Sequence, residues 1–316
     1  MALYRTYSDY LKEKYNEKVY KIPIALPVTC PNRDGTLDSD GCIFCGSIRA
    51  DYETKAGGME ITRQIDRSIS HVGPKYKAKK FIAYFLNFTN TYMPLSRFEY
   101  CVEEACGHPD IVGLAVSTRP DCIHESYLEV LREAQGKYGT NITVELGLQS
   151  VNPHTLLKIG RCHTVAEFID AALQIGRYHF DLCAHIIADL PWDDRIDVEE
   201  AAKLVSVLPV TEIKIHSLYI IKGTKLAKMY EKGDIKLLPP EEYAERVVLI
   251  LSMLRPDIVV QRIVGRASAN TLSVNGGRPW WEVKEYIEKL MRNRHIQQGS
   301  ACNYLHGAAV RRFLHE

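Results

Sequence analysis

The sequence predicts an α/β barrel of parallel strands, and three observations predict it. Short apolar runs rich in β-branched residues recur along the chain, each followed by a segment long enough for a helix, which is the pattern of parallel βαβ units. Polar or charged clusters stand directly after several of those runs, where the strands of a parallel barrel end and its active-site face begins. The length of 316 residues is long for one ordinary domain and normal for one barrel with extensions.

Taken in order, residues 1–20 mix tyrosines and lysines at near-helical spacing and predict a helix packed on the barrel. The first strand is expected over Ile22 to Val28, followed by a cysteine-bearing loop, Ala56-Gly57-Gly58 and a helix near Glu60 to His71. Further strands are expected over Lys80 to Leu86, Ile111 to Val116, Asn141 to Ser150, Phe180 to Ile187, Glu212 to Tyr219 and Ile258 to Val264. Helices are expected over His124 to Ala134, Val165 to Tyr178, Val198 to Val207, from Thr224 onward, and from Pro239 through Leu254. From Gly265 the alternation stops, and Trp280 to His295 reads as one amphipathic, basic-ended helix. The division is therefore an N-terminal helical extension over 1–20, a barrel over 21–264 and a C-terminal helical extension over 265–316.

Forty basic and thirty-nine acidic residues leave a formal charge of +1, so a polyanion could be gripped only by a local patch. The candidates are Lys75, Lys77, Lys79 and Lys80, then Lys284, Lys289, Arg292, Arg294 and His295, with Arg311 and Arg312 beyond. Nine cysteines, an odd number, without a signal-peptide pattern point to a reducing cytoplasm and to thiols used as ligands. No apolar run approaches the ~20 residues that span a bilayer.

Cys30, Cys42 and Cys45 stand at C-x11-C-x2-C spacing just after the first strand, so one loop carries three thiols toward one point. Three thiolates can hold a 4Fe-4S cluster while leaving its fourth iron open for S-adenosylmethionine, whose reductive cleavage yields a carbon radical. Structural zinc is the alternative; it takes four protein ligands, and Cys101 or Cys106 folding back would supply one. Glu145 and Gln149, four apart on a strand, share a face that can be the barrel interior, where a carboxylate and an amide need partners. Lys214 and His216 share a face of the sixth strand; a lone strand histidine is more often a satisfied core residue than a catalyst.

These motifs, with Asn90-Thr91-Tyr92, Ser117-Thr-Arg-Pro-Asp121, Glu145 to Ser150, Arg161-Cys-His-Thr164, Ala188 to Asp194, Lys214 to Thr224 and Pro239-Pro-Glu-Glu-Tyr243, resemble the radical S-adenosylmethionine superfamily. Within it they resemble the bacterial YtqA/YhcC-type proteins, relatives of the elongator catalytic subunit, over nearly the whole chain. The resemblance implies a partial (βα)6 TIM-like barrel, with Cys30, Cys42 and Cys45 as ligands of a 4Fe-4S cluster. The superfamily usually spaces these cysteines C-x3-C-x2-C, and the longer gap leaves open what residues 32–41 do; Asp34-Gly35 and Asp40-Gly41 are expected to be turns. It also implies S-adenosylmethionine contacts from Asn90 and Thr91 (methionine amino group), from Ser117, Arg119, Glu145 and Gln149 (ribose and adenosine) and from Arg161 (methionine carboxylate). Lys214 and His216 lie where a substrate group would be met.

The group includes a tRNA wobble-uridine modifying enzyme. That implies removal of the carboxymethyl part of carboxymethylaminomethyl uridine in tRNA, an electron donor such as flavodoxin or ferredoxin, and a partner methyltransferase for the product. A radical enzyme acting on a protein or small metabolite and a zinc-stapled RNA-binding module are the rival readings. A methylthiotransferase is disfavoured, because the remaining cysteines form no second triad.

Overall fold

The computed structural model describes residues 2–46, 59–266 and 270–313. Ala56 to Gly58 and the side chain of Arg312 lie outside that range. In chain order the elements are α1 (Tyr7–Tyr15), β1 (Val19–Ile24), α2 (Ile61–Tyr76), β2 (Lys80–Phe85), α3 (Leu95–Cys106), β3 (Ile111–Thr118), α4 (Glu125–Tyr138) and β4 (Asn141–Gln149). There follow α5 (Pro153–Lys158), α6 (Val165–Arg177), β5 (Asp181–Ile187), α7 (Arg195–Val207), β6 (Glu212–His216), β7 (Ile220–Ile221) and α8 (Lys225–Lys232). The chain ends with α9 (Pro240–Met253), β8 (Val259–Arg262), β9 (Thr271–Ser273) and α10 (Trp280–Asn293).

Seven strands form one all-parallel sheet in the order β1-β2-β3-β4-β5-β6-β8, curled into a half barrel with helices around it. The seventh is the strand expected over Ile258 to Val264. Sequential order of neighbours is the outcome of repeated right-handed crossovers, and it sends every strand's C-terminal end to one face. The interior of β4 is buried on both faces although its sequence alternates: Ile142, Val144, Leu146 and Leu148 pack in the hydrophobic core, while Thr143, Glu145 and Gly147 share the opposite face. Two of the sequence motifs also do helix-capping work. Thr164 closes a capping box with Glu167 at the start of α6, and Asp194 does so with Asp197 at α7.

The first strand lies three residues earlier than its apolar run suggested. Pairing with β2 ends at Ile24, and the two residues beyond it are held by side chains: Gln64 accepts from the Ala25 amide at 2.9 Å, and Asn87 accepts from the Leu26 amide at 2.9 Å. Helix α1 packs into the half barrel, where Leu11 joins Val19, Ile82, Tyr84 and Ala115. It closes the N-terminal end of the strands. Lys14 Nζ donates to Asp181 and to Asn141, both at 2.8 Å, and those residues open β5 and β4. The antiparallel β7–β9 ribbon, two and three residues long, was too short to leave a pattern in the sequence.

Candidate active site

The cysteine loop leaves β1 at the C-terminal face and is pinned to the neighbouring strand end by the Thr89 amide, which donates to the Thr29 carbonyl at 3.3 Å. Gly35 and Gly41 take φ of +89° and +74°, so both expected turns form. The loop then docks on the chain that follows α5: Ile43 N donates to Ile159 O at 3.1 Å, and Asn32 Nδ2 donates to Gly160 O at 2.8 Å. That docking brings Cys42 against Arg161, 119 positions away in sequence, with Nη1 at 3.7 Å from Sγ. Asn32 Nδ2 also lies 3.7 Å from Cys42 Sγ, and Arg33 Nη1 lies 3.6 Å from Cys45 Sγ.

Arg161 is fixed from two further sides. Its Nε donates to His163 Nε2 at 2.7 Å and its Nη2 to the Gly147 carbonyl at 3.0 Å. Burial, then the adjacent guanidinium, push the His163 imidazole down to about 3, so it stays neutral and accepts from Arg161. Gly147 leaves room for this arrangement: a Cβ on it would stand 2.5 Å from both Arg161 Nη2 and Gln149 Nε2 and displace those side-chain ends. Gln149 takes φ of +70° beside a register shift in the β4–β5 pairing, which swings its amide toward Arg161.

From β3, Arg119 forks onto Asp121 at 2.8 and 2.7 Å, while its buried Nη1 has no protein partner. Burial opposes the charge of this guanidinium, and Asp121 outweighs it, holding Arg119 above its usual range. Asn90 spends its amide N–H groups on the Phe85 and Ser117 carbonyls, at 2.9 and 2.7 Å, and leaves a buried Oδ1 without partner. Ser117 is half-buried and contributes that carbonyl. The Thr91 hydroxyl meets Thr118 at 2.6 Å and the Cys122 carbonyl at 2.7 Å, so it also fastens the turn.

Glu145 has its carboxylate engaged within the protein. Its side chain is fully buried inside the half barrel, and both carboxylate oxygens are taken: Lys21 binds Oε1, while Tyr84, His185 and Lys214 meet Oε2 at 2.7, 2.8 and 2.5 Å. Burial alone would raise this carboxyl, and the Lys21 and Lys214 ammoniums outweigh it, holding it well below the usual range. Lys214 is likewise committed, to Glu145 and at 3.2 Å to the Tyr84 hydroxyl. His216 lies on the same strand face, its ring 5.1 Å from that of His185. Glu145, Cys183 and His185 bring three potential ligand atoms within 4.8 Å of one another, but two ammoniums on the carboxylate repel a cation.

The residues fit a cluster better than zinc. Cys101 and Cys106, the proposed fourth zinc ligands, sit on α3 in the hydrophobic core, and burial pushes the Cys106 thiol up to about 12. The donor set left at the loop is three thiols faced by cationic and amide N–H groups. Sequence reasoning missed Arg33, Lys21, Tyr84 and His185, and for His163 the one hint was its place in Arg161-Cys162-His163.

The basic clusters are rearranged too. Lys80 opens β2, which puts Lys75 to Lys80 at the end of the sheet opposite the cysteines. On α10, Arg294 forks onto Glu245 at 2.6 Å twice, and Lys284 and Arg292 share Glu288 at 2.5 and 3.9 Å. No described helix is long and apolar enough to cross a membrane.

A profile of the radical SAM C-terminal domain matches residues 210–293. The uncharacterized protein YtqA of Bacillus subtilis is 34% identical over 300 residues, covering 94% of this chain and 92% of its own. Among solved structures, Elp3 of the archaeon Methanocaldococcus infernus superposes with a TM-score of 0.62 at 17% identity, over 89% of this chain and 64% of that one. Streptococcus suis SuiB bound to S-adenosylmethionine gives 0.51 at 12% identity, over 82% and 53%. The chain thus spans less than two thirds of either solved structure, and at these identities the two show the fold alone. With the half-barrel fold and a near-full-length relative in agreement, the chain belongs to the radical SAM superfamily, in its YtqA-like branch.

Proposed function

We propose that this chain is a radical enzyme that modifies tRNA, with residues 21–264 as its catalytic unit. In this reading Cys30, Cys42 and Cys45 hold a 4Fe-4S cluster, and S-adenosylmethionine lies against Asn90, Ser117, Arg119, Gln149 and Arg161. The observation that carries it is that, at the C-terminal end of the strands, Arg161 lies on the Cys42 thiol of the three-cysteine loop while Asn90 Oδ1 and Arg119 Nη1 stay buried without a protein partner. When bound, the cluster supplies the electron that cleaves the sulfonium and so makes the carbon radical that takes a hydrogen from substrate.

The protein's contribution is placement. Asn90 Oδ1 is an acceptor for the methionine ammonium, and Arg161, locked by His163 and Gly147, keeps N–H groups for its carboxylate. A guanidinium fixed before the ligand arrives loses little entropy on binding it. Lys214 and His216 line the lumen beneath, where part of the substrate would enter.

The substrate we propose is the wobble uridine carrying a carboxymethylaminomethyl group, which loses the carboxymethyl part and becomes aminomethyl uridine. A partner methyltransferase then acts on the product, and a flavodoxin or ferredoxin supplies electrons. Supporting this are the membership in the YtqA-like branch and the Elp3-like fold. Comparing tRNA nucleosides from cells with and without the gene tests it: carboxymethylaminomethyl uridine should accumulate when the gene is absent. Unaltered wobble uridines would instead place the substrate among proteins or metabolites.

A further inference from the structure

The eleven residues between Cys30 and Cys42 carry two side chains onto the sulfur ligands, and the arrangement of Arg33 is built rather than incidental. Its guanidinium reaches Cys45 Sγ at 3.6 Å and the Gly46 carbonyl at 3.5 Å. Its stem runs along Gly41, where a Cβ would stand 3.2 Å from Arg33 Cγ, so the glycine clears the path as well as making the turn. The other side of the guanidinium is covered by the Phe88 ring, 5.3 Å from centroid to Cζ. Phe88 is held at φ of +47°, a costly conformation for a bulky residue, and that backbone sets where its ring lies. Among the described residues no carboxylate pairs with Arg33. The rest of the gap anchors the loop away from the thiols, Thr36 to the Tyr92 hydroxyl at 2.7 Å and Asp40 to Lys225 at 2.6 Å.

Hydrogen bonds to ligand sulfurs and positive charge beside a cluster stabilise its reduced, more negative state and raise its reduction potential. We propose that the long gap is a potential-setting device, in which Arg33 on Cys45 and Asn32 on Cys42 make the cluster easier to reduce by a weak cellular donor. The inference rests on the cluster reading above. Arg33 is the decisive residue, because Asn32 also docks the loop through Gly160.

The test is a redox titration of the anaerobically reconstituted full chain, without S-adenosylmethionine or substrate, followed by the electron paramagnetic resonance signal of the reduced cluster. Arg33→Leu, which keeps the apolar stem, should weaken the reduction equilibrium about tenfold, about 59 mV for a one-electron couple. Arg33→Lys, which keeps the charge and loses the planar fork, should fall between it and the wild type. If Arg33→Leu takes up no iron, Arg33→Gln replaces it in the same ranking. Equal midpoints in fully loaded wild type and variants overturn the inference and leave the cluster reading standing. A wild-type chain that takes up no 4Fe-4S cluster overturns both.

Discussion

At the N-terminal end of the strands Tyr10, Lys14 and Asn141 all converge on the Asp181 carboxylate, whereas at the C-terminal end Arg33 and Arg161 point at sulfur. At that second end Asn90 and Arg119 each bury a polar atom without a protein partner. Both regions use ordinary polar side chains at strand ends, but the Asp181 carboxylate is met entirely within the chain, whereas Asn32, Thr89, Asn90 and Arg119 leave buried polar atoms unmet at the second end; Thr140 Oγ1 is the exception at the first. A buried unsatisfied polar atom costs about 1 to 3 kcal/mol, and under the proposed function bound S-adenosylmethionine would relieve that cost at Asn90 and Arg119. Between the two ends lies the Glu145 layer, buried as deeply as the core and fully paired. It separates a helix-plugged floor from the thiol face.

The sharpest way to break this contrast is to remove the thiols. Cys30→Ala, Cys42→Ala or Cys45→Ala should each abolish 5′-deoxyadenosine formation after anaerobic reconstitution, because each removes an anionic ligand. Cys101→Ala, Cys162→Ala and Cys183→Ala should retain it. Full cleavage activity in Cys42→Ala would sink the assignment.

The next effect is on stability. Glu145→Ala strands Lys21 and Lys214 around an anion that is gone, and truncating one side of a buried charge pair costs about 3 to 5 kcal/mol. Urea unfolding should show that loss, and a change under about 1 kcal/mol would mean that the layer is not a structural hub.

At the thiol face the loss should instead be of ligand. Arg161→Ala is expected to weaken S-adenosylmethionine binding ten- to a hundredfold, about 1.5 to 3 kcal/mol, with Arg161→Lys also impaired because an ammonium lacks the planar fork. Equilibrium binding by the folded, reconstituted variants decides it; unchanged affinity would return Arg161 to holding the cysteine loop.

The smallest effect concerns the surface. Replacing Lys289, Arg292 and Arg294 with alanine should reduce tRNA binding at low salt only slightly, since Arg292 and Arg294 already face Glu288 and Glu245. Cleavage of S-adenosylmethionine without substrate should be unaffected. A large loss of binding would restore α10 as the phosphate grip.

The strands were legible because each carries either a short β-branched apolar run or a strict alternation of polar and apolar residues, and the cysteine triad because its thiols sit within one loop. Helix α3 escaped notice although its buried Phe98, Cys101, Val102, Ala105 and Cys106 recur at helical spacing: its start at Leu95 after Pro94 has no side-chain cap, and two of the five read as thiol ligands and not as core residues. Thr91 and Glu145 were recognised as polar residues at strand positions, but what they touch could not be read.

The sequence by itself determined the parallel βαβ architecture, the position of the three thiols and the turns at Gly35 and Gly41, all of them set by local periodicity or backbone preference. Only the tertiary structure decided that Lys21, Tyr84, His185 and Lys214 would meet Glu145, since these residues come from strands up to 124 positions away from it. It likewise decided that Arg161 would lie on Cys42, that Lys75 to Lys80 would fall at the far end of the sheet, and that α10's arginines would face acids. The reason is physical: a periodic pattern fixes which face of an element is buried, while the partner of a charge depends on the order and curvature of the whole sheet.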